Sequence, residues 1–317
     1  MEINTLGAAL SFYRQREGLL MEQICDGLCS LATLERIEQG ERIADSLLGE
    51  LLLERIGKEV EQFELLLNDK DYALMLARRK IQDCMHMQDY GKTRKLIEDY
   101  RVMEQGQSHI HEQFCLYHEI MIAIAEGMND EKIGEMARQA LQMTKTLSDR
   151  KEKDGQALYT QTEMNLIILL AEYGYLNSAD EAEKELCKLL RYVKFFCTER
   201  RKEETGISII WKLLGLMEER GDRKKALAYI EEGIALISQG RGILGLEKLH
   251  FRKAQMLMEQ YDERTGWSER KQTIQRECLM AYCICEVMRL TEEMEEIEKF
   301  CEEKMAWQIT TLEISSD

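Results

Sequence analysis

The stretch WKLLGLMEERGDRKKALAYIEEGIALI, Trp211 to Ile237, decides the fold. It reads as a helix, a break at Gly221 and Asp222, and a second helix on which Ala226 and Gly233 lie seven residues apart with Tyr229 and Ile230 between them. Seven residues are close to two helical turns, so the small residues share a face where a neighbouring helix can approach closely and lock against the large side chains. The preceding stretch, NLIILLAEYGYLNSADEAEKELCKLL from Asn165 to Leu190, repeats the scheme with Ala179, Ala182 and Leu186. Similar breaks fall at Gln88 and Asp89, at Met128 to Asp130, at Gly174 and Tyr175, and between Asp262 and Gly266. Their spacing of roughly forty to forty-seven residues is that of stacked helical pairs. The units around Tyr90 to Tyr100 and Asn129 to Met143 follow the pattern less well, and the last unit is stretched, so the array is degenerate.

Composition agrees with an all-α chain. The 317 residues include no proline and only 7% aromatics, while Leu, Met, Glu, Lys and Ala, which lose little entropy in a helix, are plentiful. The length suits one small domain plus a repeat array. No apolar run is long enough to span a bilayer and no basic-then-apolar leader opens the chain, so a cytoplasmic protein without a membrane partner is expected. The ten cysteines lack metal-site spacing; the nearest approaches are Cys25 with Cys29 and Cys283 with Cys285. Reduced, mostly buried thiols are expected, with no metal and no cofactor. His109 and His111, two apart, point to different faces of a helix. No nucleophile elbow, phosphate-binding glycine loop, zincin helix or kinase-like set is present, and the chain reads as a non-enzyme.

The first sixty-six residues look different. Short apolar-periodic segments alternate with Gly18, Gly27, Gly40 and Gly57, a spacing that allows helices of only two or three turns. Within GLLMEQICDGLCSLATLERIEQGER, Gly18 to Arg42, Met21, Ile24 and Cys25 form one apolar face and Gly27 permits a tight exit. Ser30 is a natural N-cap for a helix from Leu31 to Gln39 that turns Leu34 and Ile37 inward. A helix over Leu6 to Arg16 and another over Asp45 to Arg55 complete a bundle around Leu10, Ile24, Leu34, Ile37, Leu48 and Leu51. At the other end, the helix from Thr291 to Met305 carries an acidic outer face suited to capping a stack.

The run S-x-x-T-L-x-R-I-E-x-G from Ser30 to Gly40 resembles the phage-repressor type of helix-turn-helix, and the later units resemble tetratricopeptide repeats. Their union resembles the peptide-sensing transcription regulators of the Rgg and PlcR type. That resemblance implies a helix-turn-helix DNA-binding domain over residues 1–66, then a right-handed solenoid of degenerate tetratricopeptide-like hairpins over 67–317 for ligand sensing and dimerisation. It also implies a homodimer in quorum sensing whose partners are double-stranded DNA and a short signalling peptide. On the recognition helix the outward positions are Leu31, Ala32, Thr33, Glu35 and Arg36, with Ser30 near a phosphate at its N-terminus. Arg36 is the expected base-edge or phosphate contact, Leu31 and Ala32 could meet thymine methyl groups, and Arg14, Arg16 and Arg42 could engage backbone.

Two features depart from that pattern. Met21 stands where such motifs often place a polar residue, and the first 66 residues hold thirteen acids against six bases in a chain of formal charge -16. DNA contact must therefore be local, and an alternative reading stays open: a helical-repeat interaction module that does not bind DNA. Counting back from each break places Arg78, Arg79, His118, Glu119, Met164, Asn165, Trp211 and Lys212 in equivalent positions on first helices, with Lys248 and Arg252 following. Asn can bond a peptide backbone in both directions, Arg and Lys can hold a carboxylate, and Trp supplies an apolar anchor. Asn165 occupies the position where arrays of the resembled family often carry a backbone-clamping asparagine.

Overall fold

The computed structural model describes residues 5–58, 67–106, 108–145, 157–174, 176, 178–240, 242–243, 245–259 and 267–309. Among them it holds fifteen α-helices and no strand. The expected boundary at residue 66, Tyr175 and the break between Asp262 and Gly266 lie outside the described residues.

The chain divides into two compact units, Met1–Thr198 and Glu199–Asp317. The first opens with a bundle of α1 (Leu6–Arg16), α2 (Met21–Cys25), α3 (Leu31–Glu38) and α4 (Ser46–Arg55). Its core contains all six residues expected from the sequence: Leu10, Ile24, Leu34, Ile37, Leu48 and Leu51 are buried. Three hairpins follow: α5 (Asp69–His86) with α6 (Tyr90–Glu104), α7 (His109–Ala125) with α8 (Asp130–Gln142), and α9 (Gln161–Glu172) with α10 (Ala179–Phe196). Two of the breaks work as read. Asp89 and Asn129 are N-caps that accept from backbone N–H groups of the next helix, satisfying donors that no helix can satisfy internally.

The second unit comprises α11 (Glu199–Glu219), α12 (Arg223–Gly240), α13 (Leu246–Glu259), α14 (Trp267–Met288) and α15 (Thr291–Met305). Gly233 confirms the small-residue reading: a Cβ there would stand 2.9 Å from Leu249 Cδ1 and 3.2 Å from Ile210 Cγ2, so α12 meets α11 and α13 at that point only because the side chain is absent. The helix α15 buries Ile297, Cys301 and Met305 and exposes Glu292, Glu295, Glu296, Glu302 and Glu303. It closes a core that includes Ile274, Cys278, Ala281 and Cys285. No described helix is long and apolar enough to cross a membrane.

Candidate nucleic-acid interface and ligand face

The pair α2 and α3 is held from inside by Ile24, Leu34 and Ile37, each exposed by 2% or less. Ser30 Oγ accepts from Thr33 N at 3.1 Å, the expected cap, and also bonds Thr33 Oγ1 at 2.9 Å. At the start of α2 Gln23 Oε1 accepts from Leu20 N at 2.7 Å. The outer face of α3 is open: Ser30, Leu31, Ala32, Glu35 and Arg36 are exposed and Thr33 is half-buried. The Arg36 side chain is 59% accessible, with a single long approach of 3.9 Å to Glu41. Arg16 and Arg42 are also exposed, Arg42 lying 3.4 Å from Thr33 Oγ1.

Arg14 is differently placed. Its Nε and Nη2 each donate to Glu38 at 2.7 Å in a fork-to-fork pair whose side chains are 15% and 5% exposed. That geometry joins α1 to α3 and spends the guanidinium on the protein. An i to i+24 pairing of this kind has no local sequence signal.

The bundle does not stand apart from the hairpins behind it. Arg78, expected on a ligand face, is 3% exposed and donates to Ser46 Oγ and Glu50 Oε1, both at 3.0 Å. His111 lies 3.5 Å from the α4 cap Asp45 through Nε2 and bonds Tyr100 through Nδ1. His109 Nε2 donates to Gly27 O at 2.7 Å. Gly27 itself has φ +71° and would place a Cβ 1.8 Å from Thr144 O, so only glycine allows the helix-turn-helix corner to seat there.

On α7 and α9 the expected ligand residues separate into two groups. Met164 is fully buried and His118 is 7% exposed, its Nδ1 donating to Phe114 O at 2.8 Å. Burial holds the His118 imidazole below its ordinary pKa, against that hydrogen bond. These two and Arg78 are packing residues here. Counting from breaks fixes an axial position but not which side of a helix is packed against its neighbours.

Glu119 and Asn165 stay partly accessible. Arg101 clamps Glu112 and Glu119 with contacts of 2.6 to 2.9 Å. Asn165 Nδ2 donates to Tyr117 Oη and Asn165 Oδ1 accepts from Gln161 Nε2, both at 3.0 Å. Both ends of its amide are thus held within the protein. Tyr117, Gln161 and Arg101 were not singled out by the sequence. Arg79 is exposed.

In the second unit Trp211 and Lys212 are half-buried on α11 and Lys248 is exposed on α13. Arg252 donates to Glu218 Oε1 through Nε at 2.9 Å and Nη2 at 2.6 Å, tying α13 to α11.

No protein-family model matches the chain. No curated protein sequence matches it either. Solved structures do. PlcR from Bacillus thuringiensis, determined in complex with the peptide PapR7 and DNA, superposes with a TM-score of 0.51 at 13% identity, over 93% of this chain and 99% of PlcR. The apo competence regulator ComR from Streptococcus vestibularis gives 0.46 at 16% identity, over 95% of this chain and 98% of its own. At such identity the likeness speaks for architecture, and the chain has the fold of PlcR: an all-α protein with a helix-turn-helix bundle at its N-terminus and tetratricopeptide-like helical hairpins after it.

Proposed function

We propose that this protein is a cytoplasmic, non-enzymatic transcription regulator that binds double-stranded DNA through residues 1–66 and a short signalling peptide through residues 67–317, acting as a homodimer in quorum sensing. The observation that carries the reading is the outer face of α3, where a capped N-terminus and the accessible Arg36 are presented by a bundle fixed from behind. The fold supports it, since PlcR was determined with both a peptide and DNA bound.

In this reading Ser30 and the free N–H groups of the first turn of α3 meet a phosphate. Arg36 reads guanine or phosphate, Glu35 accepts from a cytosine amine, Leu31, Ala32 and Thr33 contact base edges, and Arg16 and Arg42 hold backbone. Arg14 serves α3 indirectly through Glu38. On the first unit the candidate peptide contacts are Asn165, Glu119 and Arg79; on the second, taken by itself, the candidates are Trp211, Lys212, Lys248 and Arg252. Arg78, His118 and Met164 support them from beneath. Peptide binding shifts the dimer between states that differ in the distance between recognition helices, which requires the peptide to bind those states unequally.

The acidity of the bundle and the loss of Arg14 to Glu38 favour a second reading, an interaction module without DNA. A low-salt gel shift with DNA upstream of the gene and its neighbours separates the two: a shift that survives random competitor supports the regulator, and no shift with or without neighbouring short peptides supports the module. The peptide assignment is checked by Asn165→Ala, which is expected to abolish the peptide's effect on DNA affinity; an undiminished effect removes Asn165 from the site.

A further inference from the structure

Arg55 ends α4 in a run of leucines and its side chain is completely inaccessible, as is that of its partner Glu163 in α9. Arg55 Nη2 donates to Glu163 Oε1 at 2.6 Å. Arg55 Nη1 reaches Asp26 O at 2.6 Å, Ile24 O at 3.3 Å and Gln23 O at 3.4 Å. Those carbonyls close α2, the helix whose turn leads into α3, and a cation there meets the negative end of the helix dipole. The carboxylate is equally committed: Glu163 Oε2 accepts from Thr160 N at 2.8 Å while Glu163 N donates to Thr160 Oγ1 at 3.2 Å, a capping box.

A buried ion pair is a poor way to gain stability, because desolvating both charges offsets much of their attraction, but parting the two leaves a buried charge uncompensated, which penalises moving the elements that carry it. Here those elements are α2, α4 and α9. The same first turn of α9 sends Gln161 N to Glu54 Oε2 at 3.0 Å and holds Asn165 through the Gln161 side chain. One helical turn therefore carries the attachment of the bundle on one side and the Asn165–Tyr117 bond on the other.

We infer that Arg55 and Glu163 are positioning residues that set where α2 and α3 stand against the hairpins, so that a displacement of the first turn of α9 is passed to the recognition helix. The inference rests on the DNA-binding reading only for the meaning of the placement of α3.

Amide hydrogen exchange on the free full-length chain tests it without DNA or peptide. Glu163→Gln leaves Arg55 charged without its counter-ion and is expected to raise exchange in residues 21–56 by about tenfold or more while α12 to α14 stay within about twofold of wild type. The double variant Arg55→Met with Glu163→Met replaces the pair by apolar volume, keeps the fold compact and is expected to show the same localised loss. Unchanged protection of 21–56 in either variant, or a rise spread evenly over both units, overturns the inference. Absence of DNA binding would sink the regulator reading and leave this exchange pattern untouched.

Discussion

The first turns of α3 and α9 are built from the same local code and have opposite surroundings. Each begins with a hydroxyl residue, Ser30 or Thr160, whose oxygen accepts from a backbone N–H three residues on. Ser30 is exposed; Thr160 is fully buried and its box partner Glu163 holds Arg55. A cap in solvent leaves its helix terminus available to an anion from outside, whereas a sealed cap becomes a joint between elements. The contrast teaches that capping sequence identifies a helix start, and only the packing around it decides whether that start is a binding surface or an attachment.

The comparison can be sharpened by removing each hydroxyl. Thr160→Ala is expected to have the larger effect, about 2 kcal/mol of stability in denaturant melts, at the upper end for caps because the buried N–H groups gain no water in exchange. A cost no greater than that of an exposed cap would show that the α9 terminus is hydrated and the joint loose.

Acid provides a second separation. His118, buried on α7, has its pKa lowered by burial. Above about pH 6.5 it is neutral in both folded and unfolded chains, and below that the unfolded chain takes the proton first, so stability falls as pH drops. Thermal melts between pH 7 and 5.5 are expected to show a loss of stability on acidification that His118→Phe reduces. An identical slope in the variant would assign the loss elsewhere. Asp45 acts at lower pH: burial pushes its carboxyl up, but His111 and the Leu48 N–H outweigh it and leave it below the ordinary value. Its contribution is held above about pH 4 and lost beneath.

Ser30→Ala is expected to cost less than Thr160→Ala, about 0.5–1 kcal/mol by the same melts. A loss matching that of Thr160→Ala would erase the distinction between the two caps.

Much of the fold was legible because it is locally written. The ends of α1 and α15 fall on Leu6 and Arg16 and on Thr291 and Met305, as read from apolar periodicity, and the breaks at Gln88, Gly174 and Gly221 adopt positive φ, where a helix cannot continue. The exposed positions of α3 were equally legible, since two inward residues, Leu34 and Ile37, fix the helix's rotation. Long-range pairing was not. Arg55 and Glu163 are 108 residues apart, and nothing in either neighbourhood names the other. Even so, an arginine closing the run Leu51-Leu52-Leu53 and the capping-box spacing of Thr160 and Glu163 were both visible signs of a charge with an assigned place. Arg78 escaped for a related reason: a solenoid register assumes one open face per first helix, and the bundle contacts α5 at Arg78 through Ser46 and Glu50.

The central claim is that α3 enters DNA through Arg36. Fluorescence anisotropy of the full-length chain on its upstream DNA at low salt, wild type against Arg36→Ala, tests it most directly. Melts of the variant should match wild type within about 0.5 kcal/mol, as for an exposed residue, while affinity falls by about tenfold or more, the value of one good base or phosphate contact. Equal affinity of the two proteins, or binding of neither above random competitor, would contradict the account.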